Sequence, residues 1–203
     1  MELIGELERS VLPLIYPLRV PIFIATVVVL AILAWIAWRR GWVDRLRAHP
    51  RATAASLAIV LVIGLPVGWY LGSPLFIRTA LVEPTGGAGA AAGTVLASGS
   101  FVGADEFHTG SGRATIVEAA DGRLGLRFDD FVVRNGPDLF VYLSPSPDGY
   151  AEGALELGAL KATDGSFGYD VPAGTEAGDY RSVVVWCKAF AVQFAHAALT
   201  EPA

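Results

Sequence analysis

The stretch YRSVVVWCKAFAVQFAHAAL, Tyr180 to Leu199, decides the fold. Valine, aromatic and small apolar residues run through it with no proline or glycine, the composition of strands. The run from Ser182 to Leu199 exceeds the roughly ten residues of a long strand, so it should bend near Lys188-Ala189 and form two strands. In the first, SVVVWC, period-two alternation places Cys187 on the face of Val185 and Val183 and Trp186 on the other face. In the second, Phe190, Val192, Phe194 and His196 form a bulky face against the small Ala189, Ala191, Ala195 and Ala197.

Working back from this hairpin, six more short alternating runs are separated by Gly, Asp, Pro and Asn. They are VLASGSF (Val95 to Phe101), RATIVEA (Arg113 to Ala119), RLGLRF (Arg123 to Phe128), DLFVYLS (Asp138 to Ser144), ALELGAL (Ala154 to Leu160) and SFGYDV (Ser166 to Val171). Asp121-Gly122 and Asn135-Gly136-Pro137 supply turn chemistry. No segment of helical period competes. Residues 94–203 are therefore expected to form an all-β sandwich or barrel of seven to nine antiparallel strands.

Upstream the text changes. The chain has 203 residues, 53% hydrophobic and only 17% charged, too apolar for one ordinary soluble domain. No charge occurs from Val20 to Trp38 or from Ala52 to Ile77, runs of 19 and 26 residues. Each is long enough as a helix to cross a hydrocarbon core of roughly 30 Å. We expect transmembrane helices at 20–38 and 52–72, joined as a hairpin by an arginine-rich loop at 39–51. In that loop Arg39, Arg40, Arg45, Arg47 and Arg51 face a single acid, Asp44, which places it on the cytoplasmic side. An N-terminal segment, 1–19, and a Gly/Ala-rich linker, 73–93, then lie outside with the β domain. Both termini face away from the cytoplasm, and the lipid bilayer is the first partner. The acidic start, with Glu2, Glu6 and Glu8, is unlike a cleavable signal peptide. Gly64, Gly68 and Gly72 recur every fourth residue on one helix face, an arrangement suited to packing within the hairpin or against a second copy.

Beyond Gly93 there are 15 acidic against 7 basic residues; residues 1–93 hold 5 against 8. Nucleic acid is not an expected partner of so acidic a domain. Cys187 is the only cysteine and Met1 the only methionine. An intrachain disulfide, a CxxC pair, a four-cysteine zinc site and a CxxCH haem attachment are all excluded. Asp129, Asp130 and Asp138 lack the close spacing of a calcium loop, so no metal site is expected. No Ser-His-Asp signature, phosphate loop or HExxH motif marks a familiar enzyme.

Several motifs carry a resemblance. GSF (Gly99 to Phe101), HTGSGRATI (His108 to Ile116), LRFDDFVVRNGPDLFVYLS (Leu126 to Ser144), LGAL (Leu157 to Leu160), GYDVP (Gly168 to Pro172) and the stretch from Tyr180 to Leu199 resemble the electron-transfer DM-13 domain family. That family occurs in animal Skeletor-type proteins and in bacterial membrane proteins. The resemblance covers about 110 residues and implies a DOMON-related β-sandwich in a membrane-anchored bacterial member. It also implies a redox role for the cysteine of the last motif, here Cys187, as a thiol or a haem ligand.

Cys187 is thus the expected redox residue, with His108, Trp186 and His196 as residues that would border a cofactor, haem being the candidate. Two functional classes follow. One is a membrane-anchored, extracytoplasmic electron-transfer module with a redox protein as partner. The other is a non-catalytic cell-surface β domain that binds a ligand or protein, with Cys187 structural. On ordinary burial statistics a lone cysteine in an apolar strand is a small core hydrophobe.

Overall fold

The computed structural model describes residues 19–84 and 93–202. These fall into two compact units that divide between Ser73 and Pro74. Residues 1–18, expected within the N-terminal extracytoplasmic segment, and the Gly/Ala-rich residues 85–92, expected within the linker, lie outside the described residues.

The first unit is helical. Helix α1 spans Arg19–Arg39 and ends where Gly41 takes a positive φ of 66°, a conformation that costs glycine little and closes many helices. The arginine-rich connection is itself largely helical, since α2 covers Trp42–Ala48. Pro50 opens α3, Pro50–Ile59, at the position where a missing N–H costs nothing. A π-helical turn follows at Val60–Gly64, then α4 at Leu65–Gly72. Pro66 explains the widened turn, because its ring and absent N–H disrupt the preceding i to i−4 bonds. From Pro50 to Gly72 the helix is continuous over 23 residues and is long and apolar enough to cross a membrane. Ile24–Arg39 is apolar but shorter. Of the two spanning helices expected, one therefore has spanning length. Large apolar side chains on both are solvent-exposed, among them Leu30, Leu33, Leu57 and Val62. The glycine face is equally open: a Cβ at Gly68 or Gly72 would meet nothing within 4 Å.

The second unit is a nine-stranded sheet. Its strands are β1 (Ala80–Val82), β2 (Gly93–Gly103), β3 (Gly110–Ala119), β4 (Leu124–Val133), β5 (Leu139–Ser144), β6 (Leu155–Ala159), β7 (Asp164–Asp170), β8 (Ser182–Cys187) and β9 (Val192–Ala198), in the order β1-β7-β4-β3-β2-β9-β8-β5-β6. All eight strands expected from the alternation are present. Two features correct the expectation. The architecture is one continuous sheet curled into a half-barrel, because the eleven-residue β2 pairs with β3 over most of its length and with β9 at Phe101–Gly103. The sheet is also mixed, since β1 runs parallel to β7.

Strand β1 lies inside the segment expected to be linker. Three residues carry too little pattern to announce a strand; cross-chain partners supply it. Arg78 donates two bonds to the Asp164 carboxylate, at 2.6 and 3.0 Å. The Thr79 N–H donates to Thr163 Oγ1 at 3.0 Å. The Glu83 carboxylate accepts from the Gly168 N–H at 2.9 Å and pairs with Lys161 at 3.1 Å.

The core is aromatic. Phe101, Phe128, Phe131 and Phe167 are fully or nearly fully buried, and Phe101 lies 4.9 Å, ring centre to ring centre, from both Phe128 and Phe131. Burying each such ring is worth about 2 kcal/mol. Phe128 and Phe131 are three apart and should face opposite sides of a regular strand. A bulge between them, with Asp130 at φ 48°, turns both inward.

A second bulge corrects the reading of β9. Val185 pairs with Ala195 but Trp186 pairs with Gln193, so Phe194 is an extra residue. Val192, Phe194, Ala195 and Ala197 all become buried and His196 is left on the outside. The uniformly bulky face expected for Phe190 to His196 does not exist. The bend itself is a turn at residues 188–191, closed by Ala191 at φ 55°.

Candidate functional site

Cys187 ends β8 on the inner face, between Leu139 of β5 and Val192 of β9, with no solvent exposure. Its neighbour Trp186 faces outward, as strand alternation requires. The sheet therefore separates the two residues that the sequence placed side by side.

His108 is held in the bend between β2 and β3 and is also wholly buried. Asp105 builds this bend: one carboxylate oxygen accepts from the N–H groups of Phe107 (2.8 Å) and His108 (2.6 Å), the other meets His108 Nδ1 at 2.7 Å. A carboxylate only accepts, so Nδ1 carries the proton. Burial works to raise the Asp105 pKa, but the bonds from the His108 ring and backbone outweigh it and hold the group below its ordinary value. The imidazole lies edge-on to Phe107 and Phe194, at 5.0 and 4.5 Å. Both Cys187 and His108 are thus enclosed, with no solvent exposure.

The outer face carries a cluster of polar and aromatic side chains. Trp186 stacks on Tyr150 with ring centres 4.4 Å apart and planes inclined by 23°. Tyr150 meets Tyr142 edge-on at 5.3 Å. The Tyr142 hydroxyl donates to Glu156 at 3.0 Å, and Lys188 pairs with the same carboxylate oxygen at 2.7 Å. Burial first, then the Glu156 contact, raises the Tyr142 pKa well above that of a free phenol; Lys188 holds Glu156 below the usual carboxylate value. Gln193 bridges this cluster to His196. Its Oε1 accepts from the Tyr150 N–H at 2.9 Å, so its Nε2 must donate, and His196 Nδ1, 3.2 Å away, accepts.

Of the residues singled out in the sequence, the fold brings Trp186 and His196 together on the outside and sets Cys187 and His108 inside. That division does not fit a haem. Cys187 and His108 have no solvent exposure while His196 lies on the opposite face, and the pocket of about 260 Å³ near Asn135, Asp138 and Thr163 and the groove of about 800 Å³ near Val95, Tyr180 and Glu201 are lined by none of the three. Among the described residues no group of three or more His, Cys, Asp or Glu side chains could hold a metal ion. Asp129 instead bonds Arg127 at 2.8 Å.

Sequence reasoning missed Asp105, Tyr142, Tyr150 and Glu156. Asp105 had a local signal, an aspartate two and three residues before the N–H groups it caps. The aromatic cluster had none, because it forms only when the loop from Pro145 to Ala154 folds back over β5 and β8.

The second unit is thus a curled β sheet with a buried cysteine at the end of an interior strand and aromatic side chains on its outer face. Residues 100–199 match the family model described as electron transfer DM13, and this half of the chain belongs to that family. The match runs from β2 to β9 and contains Cys187, His108, Trp186 and His196. No curated protein and no solved structure matches the chain.

Proposed function

We propose that the protein is a membrane-anchored, extracytoplasmic electron-transfer module with Cys187 as its redox thiol and a second redox protein as its partner. The observation that carries the reading is the DM13 match across β2 to β9, with the chain's one cysteine inside it. The spanning-length helix Pro50–Gly72 supports anchoring, and the five arginines of 39–51 support a cytoplasmic connection with both termini outside. The open row of Gly64, Gly68 and Gly72 suits packing against a second copy.

Full burial of Cys187 sets the terms of its chemistry. A disulfide of the partner can be attacked by the Cys187 thiolate only after the end of β8 opens locally. The Cys187 thiol loses its proton to water, the thiolate attack forms a mixed disulfide and expels one partner thiolate, and that thiolate takes a proton back from water. Labelling of the folded full-length protein with a disulfide reagent tests this. The redox reading expects a rate that is independent of reagent concentration at saturation and faster than global unfolding.

The same burial favours a second reading, a non-catalytic ligand- or protein-binding β domain with a structural cysteine. Labelling that proceeds only at the global unfolding rate would sink the thiol proposal and support that one.

A further inference from the structure

We propose that Trp186, Tyr150 and Tyr142 form an aromatic relay on the outer face, through which the domain gives up one electron while the Tyr142 proton moves to Glu156. The inference rests on the electron-transfer reading but not on Cys187, which faces the opposite side of the sheet.

Three observations carry it. The rings are in series at 4.4 and 5.3 Å, close enough for direct electronic contact without intervening bonds. Their outer member is accessible: Tyr150 is 44% exposed while Tyr142 is 6% exposed, so a surface oxidant meets the Tyr150–Trp186 stack first. The inner member is provided with a base, since Tyr142 donates its hydroxyl proton to Glu156 at 3.0 Å. A buried phenol cannot lose an electron cheaply while it keeps its proton, because the resulting cation would be poorly solvated. A positioned carboxylate removes that obstacle.

The step balances as follows. A one-electron acceptor of high potential takes an electron from the Trp186–Tyr150 stack. The stack is refilled by an electron from Tyr142, whose O–H proton passes to the Glu156 carboxylate. The products are the reduced acceptor, a neutral Tyr142 phenoxyl radical and protonated Glu156. Lys188 positions Glu156 through their 2.7 Å contact and lies over the Phe140 ring, 3.6 Å from its centre. Electron return from a donor reverses the sequence.

The test is flash oxidation of the full-length protein in lipid nanodiscs by a photogenerated ruthenium(III) polypyridyl complex, with radical yield read by absorption and electron paramagnetic resonance. Tyr142→Phe keeps the ring and removes the O–H; Glu156→Gln keeps the shape and removes the base. The relay predicts a phenoxyl signal in the wild type that Tyr142→Phe reduces to the background of the other tyrosines. Glu156→Gln should form it on the order of a hundredfold more slowly. Trp186→Phe should slow it as well. An unchanged phenoxyl yield in Tyr142→Phe, with the wild type still reducing the ruthenium complex, overturns the relay and leaves the electron-transfer reading standing. Failure of every form to reduce the complex also overturns the relay, while the Cys187 reading stands or falls on its own labelling test.

Discussion

Cys187 and Trp186 are consecutive in the chain and lie on opposite sides of one sheet, the thiol enclosed between Leu139 and Val192 and the indole stacked 4.4 Å from Tyr150. A single peptide bond thus joins the core to the outer aromatic cluster. Replacing the thiol should disturb only the inner side. Cys187→Ser places a hydroxyl among apolar neighbours and should cost about 1 to 3 kcal/mol. Equilibrium denaturation of the two forms measures it, with an unchanged m-value expected because the fold is retained.

Asp105 organises its bend through one carboxylate, so Asp105→Asn should cost about 1 to 3 kcal/mol, the range for hydrogen bonds to a charged group. Its depressed pKa adds a pH signature. Asp105 holds its proton less tightly folded than unfolded, and the same is true of Glu83, Glu156 and Asp164. The stability they contribute is fully present above their unfolded values of about 4 and is lost as pH falls through the lower folded values. The thermal midpoint should be level above about pH 5 and decline below about pH 4. The decline should be shallower in Asp105→Asn.

Gly165 sits at φ +122°, and a Cβ there would run into the Leu81 carbonyl of β1. Gly165→Ala should therefore detach β1, adding backbone strain on the order of 1 to 3 kcal/mol. Arg78→Ala removes a bidentate but half-exposed pair and should cost less than about 1 kcal/mol. Amide hydrogen exchange at Leu81 and Glu83 distinguishes the two: much faster exchange is expected in the glycine variant and a small change in the arginine variant.

The proposed orientation puts the arginine-rich connection inside and the β domain outside. Reporter fusions at Ala48 and after Ala203 should report opposite compartments. A cytoplasmic signal from the Ala203 fusion would reverse the topology.

A leucine at position 68 would project from the open glycine face and hold two helix backbones apart. If a second copy packs there, Gly68→Leu should weaken association by about 1 to 3 kcal/mol. Crosslinking yield in membranes checks this, and an equal yield from both forms assigns the face to lipid.

Local pattern was enough to determine much of this protein. Alternation and turn residues marked all eight strands from β2 to β9, because period two and turn chemistry are properties of neighbouring residues. The same alternation placed Cys187 and Trp186 on opposite faces, and the charge-free runs marked both helices; which of the two faces is the core was decided by the packing. The tertiary structure alone decided the remainder. β1 exists only because Asp164, Thr163 and Gly168, more than 80 residues away, offer it partners. The bulges at Asp130 and Phe194 shift which side chains face inward, and a bulge is set by how two strands pair rather than by either strand. The contact of Tyr150 with Trp186, 36 positions apart, arises from a loop folding over a sheet face that no local spacing describes.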